Sequence, residues 1–209
     1  RTAMGYSVKL LQNAMPMHAF RQKYQNQEKF IGFCRECPNY GTVWSCPPLP
    51  FSVEQYLYPY RHVYVVCARL DLDEETRRAA DTAEKVKTIG WEIIVEAKRN
   101  LEDALRTWEE LVPGSVSLSS GGCNRCSRCS RGEGHPCRDE MAMRYSLDAF
   151  GFDLSAITRD MFQIEIQWCH GALPEYFTLI HALLAQEPYA DDLPLPDTAF
   201  WRKSAISSA

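Results

Sequence analysis

Apolar and polar positions divide the chain into periodic segments separated by stretches rich in cysteine and proline. His62 to Leu70 (HVYVVCARL) is dense in β-branched and aromatic residues, which predicts a buried strand carrying Cys67. From Glu74 to Leu111, Ala83, Val86, Gly90, Ile93, Ala97, Leu101, Ala104, Trp108 and Leu111 recur at gaps of three and four, the signature of one long amphipathic helix. Asp73 suits its N-cap, Glu74 and Glu75 its first turn, and Pro113-Gly114 its end. Unbroken, such a helix would run roughly 55 Å. The pattern therefore predicts either a bend near Gly90 or a far half that projects and packs against a second copy, giving a homodimer.

Weaker patterns flank this centre. Ser7 to Gln25 has loose helical spacing interrupted by Pro16, which predicts a short helix and an irregular link. Val53 to Tyr60 suits one or two helical turns, Val116 to Ser119 a short strand, and Arg138 to Phe150 a helix closing near Gly151. Met161 to Trp168 alternates apolar and polar residues, as a half-buried strand does. Pro174 is placed to open a last helix carrying Phe177, Ile180, His181, Leu183 and Leu184. Residues 31–51 and 121–138 read as cysteine-rich loops, and 187–209 as an irregular tail. The succession predicts a single α+β domain over 1–209, with a small sheet of three or four strands, packed helices and two cysteine-rich metal-binding loops.

Composition narrows the setting without naming a chemistry. An apolar share of 45% in 209 residues suffices for a sizeable core. A net charge of −4 argues against broad binding to nucleic acid, which needs a basic face. No apolar run is long enough for a membrane span, so a cytoplasmic protein is the expectation. The first residue is Arg1 rather than Met, as when an upstream piece has been removed. The chain lacks a phosphate-binding glycine loop, the H-E-x-x-H zinc motif and the G-x-S-x-G nucleophile turn.

Nine cysteines change the picture. Seven fall within 34–46 and 123–137, and bunching at two-residue gaps is how a chain surrounds a metal. A disulfide scaffold would instead favour an even count in a shorter chain. The second segment reads GGCNRCSRCSRGEGHPCR and spaces Cys123, Cys126, Cys129 and Cys137 as C-x2-C-x2-C-x7-C. Ferredoxins open with the same run around a [4Fe-4S] cluster, whereas structural zinc more often uses two separated C-x2-C pairs. Zinc is the alternative occupant. Gly121 and Gly122 allow a tight turn beside the sulfurs, and His135 stands ready to replace a cysteine. Arg125, Arg128, Arg131 and Arg138 interleave with the thiols, either compensating cluster charge or presenting a face to an acidic redox partner.

The first segment, CRECPNYGTVWSCPP, contributes Cys34, Cys37 and Cys46. Two of these precede proline, a ferredoxin feature that shields the site, and Tyr40 and Trp44 are placed to cover one side. A fourth ligand would come from Cys67, Cys169, His170 or His62, or the position would stay open to substrate. Alternatively Cys46 completes a site with Cys123, Cys126 and Cys129, or the loop is purely structural. The default for Cys67, Cys169 and His170 is a structural role.

The pair C-x2-C-P-N-Y-G-x2-W-S-C-P-P and G-G-C-x2-C-x2-C-x7-C-R, with Asp148-Ala149-Phe150-Gly151-Phe152-Asp153 beyond it, resembles the prokaryotic "predicted metal-binding protein" family, a domain of unknown function. The resemblance spans about 30–180 and implies all seven bunched cysteines as metal-associated positions. It implies no reaction. The radical S-adenosylmethionine spacing C-x3-C-x2-C is missing. The expected function is an iron–sulfur protein that passes electrons to a protein partner or senses redox state. The alternatives are a zinc-stabilised binding module and an enzyme with an open metal position at the first group, with Glu36, Tyr40 and Glu54 as its nearest acid–base residues.

Overall fold

A computed structural model describes residues 5–189 and 192–201, so the last part of the predicted irregular tail lies outside the described residues. Four antiparallel strands form one sheet: β1 (Tyr6–Pro16), β2 (His62–Leu72), β3 (Val116–Leu118) and β4 (Tyr176–Ala185), in the order β1-β2-β4-β3. Helices α1 (Met17–Tyr24), α2 (Gln27–Arg35), α3 (Val53–Leu57), α4 (Glu74–Ala79), α5 (Ala83–Leu111) and α6 (Leu154–Phe162) complete the described architecture. The fold is α+β, as the succession of elements predicts.

β2 forms where its β-branched run places it, and pairs with β1 from Tyr6↔Leu72 to Pro16↔His62 and with β4 from His62↔Ala185 to Asp71↔Tyr176. Both faces of this centre are covered. On one, Val66, Ala68 and Leu70 of β2 with Leu179 and Leu183 of β4 meet Ile93, Ala97, Leu101, Leu105 and Trp108 of α5. On the other, Val63, Val65, Ile180 and Ala182 meet Phe20 of α1, Ile157 of α6, and Phe150 and Phe152 of the intervening loop. Helix α5 thus spends its apolar stripe on its own sheet, leaving Trp91 exposed on its outer side.

Several elements differ from the sequence reading. The segment Ser7–Gln25 is strand β1 up to Pro16 and helix α1 after it. Its apolar residues fit neither period cleanly because β1 is an edge strand, half exposed, held by its full ladder with β2. Residues 31–35 belong to the end of α2 rather than to the loop. The long helical pattern is two helices. Thr82 caps α5 by accepting from the Lys85 N–H at 3.1 Å, and the break falls at 80–82, whereas Gly90 continues the helix. A Cβ at Gly90 would stand 3.3 Å from Leu173 and 3.4 Å from Phe177, a tight fit that Leu173 would have to relieve by shifting slightly.

The helix predicted from Pro174 is strand β4. With nine of its ten residues buried, it shows no alternation for a two-residue period to reveal. Met161–Trp168 is not a strand either. Met161 and Phe162 end α6, Gln163 turns in the left-handed region (φ 55°), and 164–169 is irregular and forms no ladder. Its carbonyl at Glu165 instead accepts from the Tyr176 hydroxyl at 2.5 Å. Arg138–Phe150 is a series of turns ending in a short 3-10 turn at Asp148–Phe150, fixed by hydrogen bonds to neighbouring loops rather than by its own helix. Among the described residues, no helix is long and apolar enough to cross a membrane.

His181 sits in the middle of β4, wholly buried, its Nε2 2.8 Å from the Ser120 hydroxyl and its Nδ1 without a partner. Burial, with Lys98 acting in the same direction, holds its pKa well below the ordinary 6.5. The unfolded chain takes up a proton here below that pH and the folded chain does not, so the stability present above it is lost as pH falls. Unfolding free energy should therefore decline from about pH 6.5 to about pH 5, and His181→Gln should flatten that part of the profile. Equal slopes for the two proteins in denaturant titrations would exclude His181 as the cause.

Candidate metal centre

Strand β3 leads straight into the second cysteine segment, and helix α5 holds the root of that segment in place. A stripe of polar residues one or two helical turns apart does this. Lys98 Nζ donates to the Gly122 carbonyl and, at 3.0 Å, to Asn124 Oδ1. Glu102 accepts from the Ser119 hydroxyl at 2.6 Å, and Glu109 accepts from both the N–H and the hydroxyl of Ser117 at 2.6 and 2.7 Å. Arg144 closes the far end with a two-point pair to Glu109 at 2.8 and 2.7 Å. The sequence reading missed this stripe. Its signal was the spacing 98, 102, 109 beside the apolar face.

The loop then folds on itself. The seven residues between Cys129 and Cys137 make a 3-10 turn at Ser130–Glu133, and the Ser130 hydroxyl donates to the Pro136 carbonyl at 2.6 Å. Arg138 Nη1 donates across the loop to the Arg128 carbonyl at 2.6 Å. As a result Cys123, Cys126, Cys129 and Cys137 all line one small cavity of about 20 Å³, with Arg125, Arg138, Asp139, Met143 and Trp44. Burial foremost raises the pKa of the Cys123 thiol, while the Arg125 backbone N–H and Lys98 act against that rise.

The first cysteine segment is a spiral of turns. Cys34 ends α2, the Cys37 N–H donates to the Cys34 carbonyl at 3.0 Å, and the Cys46 N–H donates to that of Val43 at 3.1 Å. Cys34, Cys37 and Cys46 line a different and much larger cavity of about 910 Å³, together with Tyr40, Asp148, Phe152, Trp168, Cys169 and Phe177. Cys46 is buried and its thiol is pushed up to about 11, by burial first, against the nearby Ser45 hydroxyl. Burial also raises Cys34, with the charges of Asp148 and Cys37 adding to it.

Three consecutive residues join the two segments. Trp44 lines the four-cysteine cavity, and its Nε1 donates to the His135 carbonyl at 3.0 Å. Ser45 is 1% exposed, and its hydroxyl accepts from the Cys123 N–H at 2.8 Å. Cys46 turns to the other cavity. Arg131 reinforces the joint: it donates to the carbonyls of Val43, Cys46 and Pro48 at 3.1, 2.8 and 2.6 Å and lies 4.7 Å from the Trp44 ring centre. A Cβ at Gly122 would come within 2.7 Å of Asn39 Nδ2, so the Asn39 side chain would have to move aside. Gly121 adopts φ 58° and donates its N–H to Asp148 at 3.3 Å.

The remaining candidates separate clearly. Trp44 covers the second cavity rather than the first, while Tyr40 lines the first. Cys67 is buried inside β2 with its thiol pushed up to about 12 by burial, as a core cysteine would be. Cys169 lines the first cavity; His170 is exposed beside it, and His62 lies at the far end of β2. Glu54 pairs with Arg21. Asp148 and Asp153 are the acids on the first cavity wall; the sequence reading named them in the family motif but not as site residues. Arg128 is exposed and pairs loosely with Glu133 at 3.5 Å. All nine cysteines are free thiols. Among the described residues, no three His, Cys, Asp or Glu side chains converge at the spacing of a single bound ion. The second segment offers four thiols around one enclosed space.

Fold and site together define an α+β protein with two groups of thiols, one of them gathered just beyond a short edge strand. The chain belongs to the predicted metal-binding protein family (DUF2284), whose family model matches residues 21–184 and so includes both cysteine segments. No curated protein and no solved structure matches the chain.

Arg131→Ala should loosen the joint between the segments and lower stability by about 2 kcal/mol, the scale of lost hydrogen bonds to a charged donor. Arg131→Lys should recover part of this, because an ammonium cannot reproduce the planar fork. Chemical denaturation, with hydrogen exchange at the amides of 43–46, measures both. Unchanged exchange in Arg131→Ala would show that the loop is held by something else.

Proposed function

We propose that the protein carries a [4Fe-4S] cluster on Cys123, Cys126, Cys129 and Cys137 and uses it to pass electrons to a protein partner, or to sense redox state, in the cytoplasm. The observation that carries this reading is that the four thiols of a ferredoxin-like run line a single enclosed cavity. The C-x2-C-x2-C run is that of ferredoxins, in which each iron of a cubane takes one thiolate, whereas structural zinc more often uses two separated C-x2-C pairs. When bound, the cluster would accept and release one electron at a time.

The chain's own residues have distinct parts in this reading. Trp44 and Met143 shield the space from water. Arg125 and Arg138 on its wall, and the buried ammonium of Lys98 on the loop backbone, supply positive charge that favours the reduced state. Exposed Arg128 extends that charge to the surface, where an acidic partner would meet it.

Protein prepared without oxygen should be brown and absorb broadly near about 400 nm, and Cys126→Ser with Cys129→Ser should remove roughly four irons and four sulfides per chain. Zinc in place of iron, with no acid-labile sulfide, would overturn the proposal. Lys98→Met should keep the cluster and shift its midpoint potential to more negative values, with Lys98→Arg close to the parent protein. An unmoved potential in Lys98→Met would remove this lysine from the account.

A further inference from the structure

The larger cavity has an architectural cause. β4 is ten residues long, but β3 pairs with it only opposite Ala182, Leu183 and Leu184. Beyond Leu118 the chain leaves the sheet for the second cysteine loop, so the stretch of β4 from Tyr176 to His181 has no strand on that side. The cavity lies against this stretch, touching Phe177, Thr178 and Ile180. Thr178 Oγ1 is buried there without a hydrogen-bond partner. A space of about 910 Å³ is in the range that holds a cofactor-sized or drug-sized molecule.

Three thiols on one wall of such a chamber need an explanation. Cys34 stands in the last turn of α2 and Cys37 two residues past its end, at the negative end of the helix dipole. Cys46 is buried, and Asp148 stands on the same wall. Thiolates are disfavoured in such surroundings unless a cationic centre balances them. The lining contains two carboxylates, Asp148 and Asp153, and no lysine, arginine or histidine. An anionic organic ligand would therefore find no counter-charge, while an uncharged or cationic one would meet aromatic walls and a few polar groups.

We propose that Cys34, Cys37 and Cys46 hold a second iron–sulfur cluster through three thiolates, and that its fourth iron stays open to the chamber to receive an uncharged or cationic organic ligand. This goes beyond the four-cysteine centre and does not rest on it. The two cavities share no lining residue, and Ser45 and Arg131 tie their walls together.

The test counts iron and sulfide in the full chain reconstituted without oxygen and follows its electron paramagnetic resonance on reduction. Tert-butyl isocyanide, an uncharged donor to open iron, serves as the probe. The parent protein should hold about eight irons, and Cys34→Ser/Cys37→Ser/Cys46→Ser about four, a twofold loss. Isocyanide should alter one signal of the parent protein and none of the triple variant. Cys37 is exposed, so Cys37→Ser alone tests the same loss with little risk to folding. Iron content unchanged in both variants would overturn the second cluster. A parent spectrum indifferent to isocyanide would overturn the open position, as would a response that appears only in Cys169→Ser, since Cys169 would then be the fourth ligand. If Cys126→Ser/Cys129→Ser loses no iron while the triple variant loses all of it, the four-cysteine reading fails and this one stands.

Discussion

The hydrogen bond from the Cys123 N–H to the Ser45 hydroxyl is the contact through which the two cysteine segments become one structure. Both partners come from stretches with little secondary structure, far apart in sequence, and neither loop has a backbone ladder to fix its shape. Ser45 is bound at its other end as well: its carbonyl accepts from the Ser146 N–H at 3.2 Å and lies 3.3 Å from the Ser146 hydroxyl. Ser146 in turn stands in a bridge to Ser119 at the end of β3. One buried residue thereby ties the first loop to the start of the second and to the sheet. Its neighbours inherit their positions from it, Trp44 over one cavity and Cys46 on the other. An aspartate or a larger residue at 45 would have to place a charge or extra atoms in a site that is 1% exposed, against the general cost of unpaired buried polar groups.

The polar stripe of α5 solves a related problem. A loop that gives its own groups to a metal centre cannot also use them to hold itself, so its support must come from outside. Glu102 and Glu109 bind the serines of the strand, and Lys98 binds the carbonyl and side chain of the loop proper. Burying an ammonium at 4% exposure is costly, and burial does lower the Lys98 pKa, with Glu102 and the Cys123 thiol pulling the other way. The arrangement makes sense where negative charge accumulates next to it. A neutral residue of the same length would hold the loop less well and would leave the Gly122 carbonyl without its donor.

What the sequence revealed depended on whether an element's pattern was set locally. β2, the N-cap Asp73 and the seven bunched cysteines carry their signals in adjacent residues, and all were legible. β4 was not, because a strand covered on both faces has the same apolar density as a buried helix. β1 was obscured by its edge position, and 161–168 looked like a strand because apolar and polar residue types alternate along it even though no ladder forms and Trp168 is exposed. At the site, the residue types were readable but their grouping was not. Whether Cys46 joins the four-cysteine run or stands with Cys34 and Cys37 is decided by Ser45, Arg131 and Asp148, whose contacts span some 80 to 100 residues of chain. No local spacing encodes such contacts.

The division into two cavities also sorts charge. The smaller space has Arg125 and Arg138 beside a single acid, Asp139, on its wall, and the larger chamber has Asp148 and Asp153 with no basic residue, though the segments that form them are directly bonded. Electrostatic interactions of this kind reach further in a partly dry interior than in water, so each set of thiols experiences its own field in addition to its neighbour's. Asp148 is the pivot. Its carboxylate accepts from the Gly121 N–H at the root of the second loop while lining the first chamber, and its charge raises the Cys34 and Cys46 thiols. A change at one cavity would therefore reach the other through Asp148 and through the Ser45 joint, by charge in the first case and by backbone position in the second. The short β3 makes this possible: had it continued along β4, neither the chamber nor the turn that brings Gly121 to Asp148 would exist.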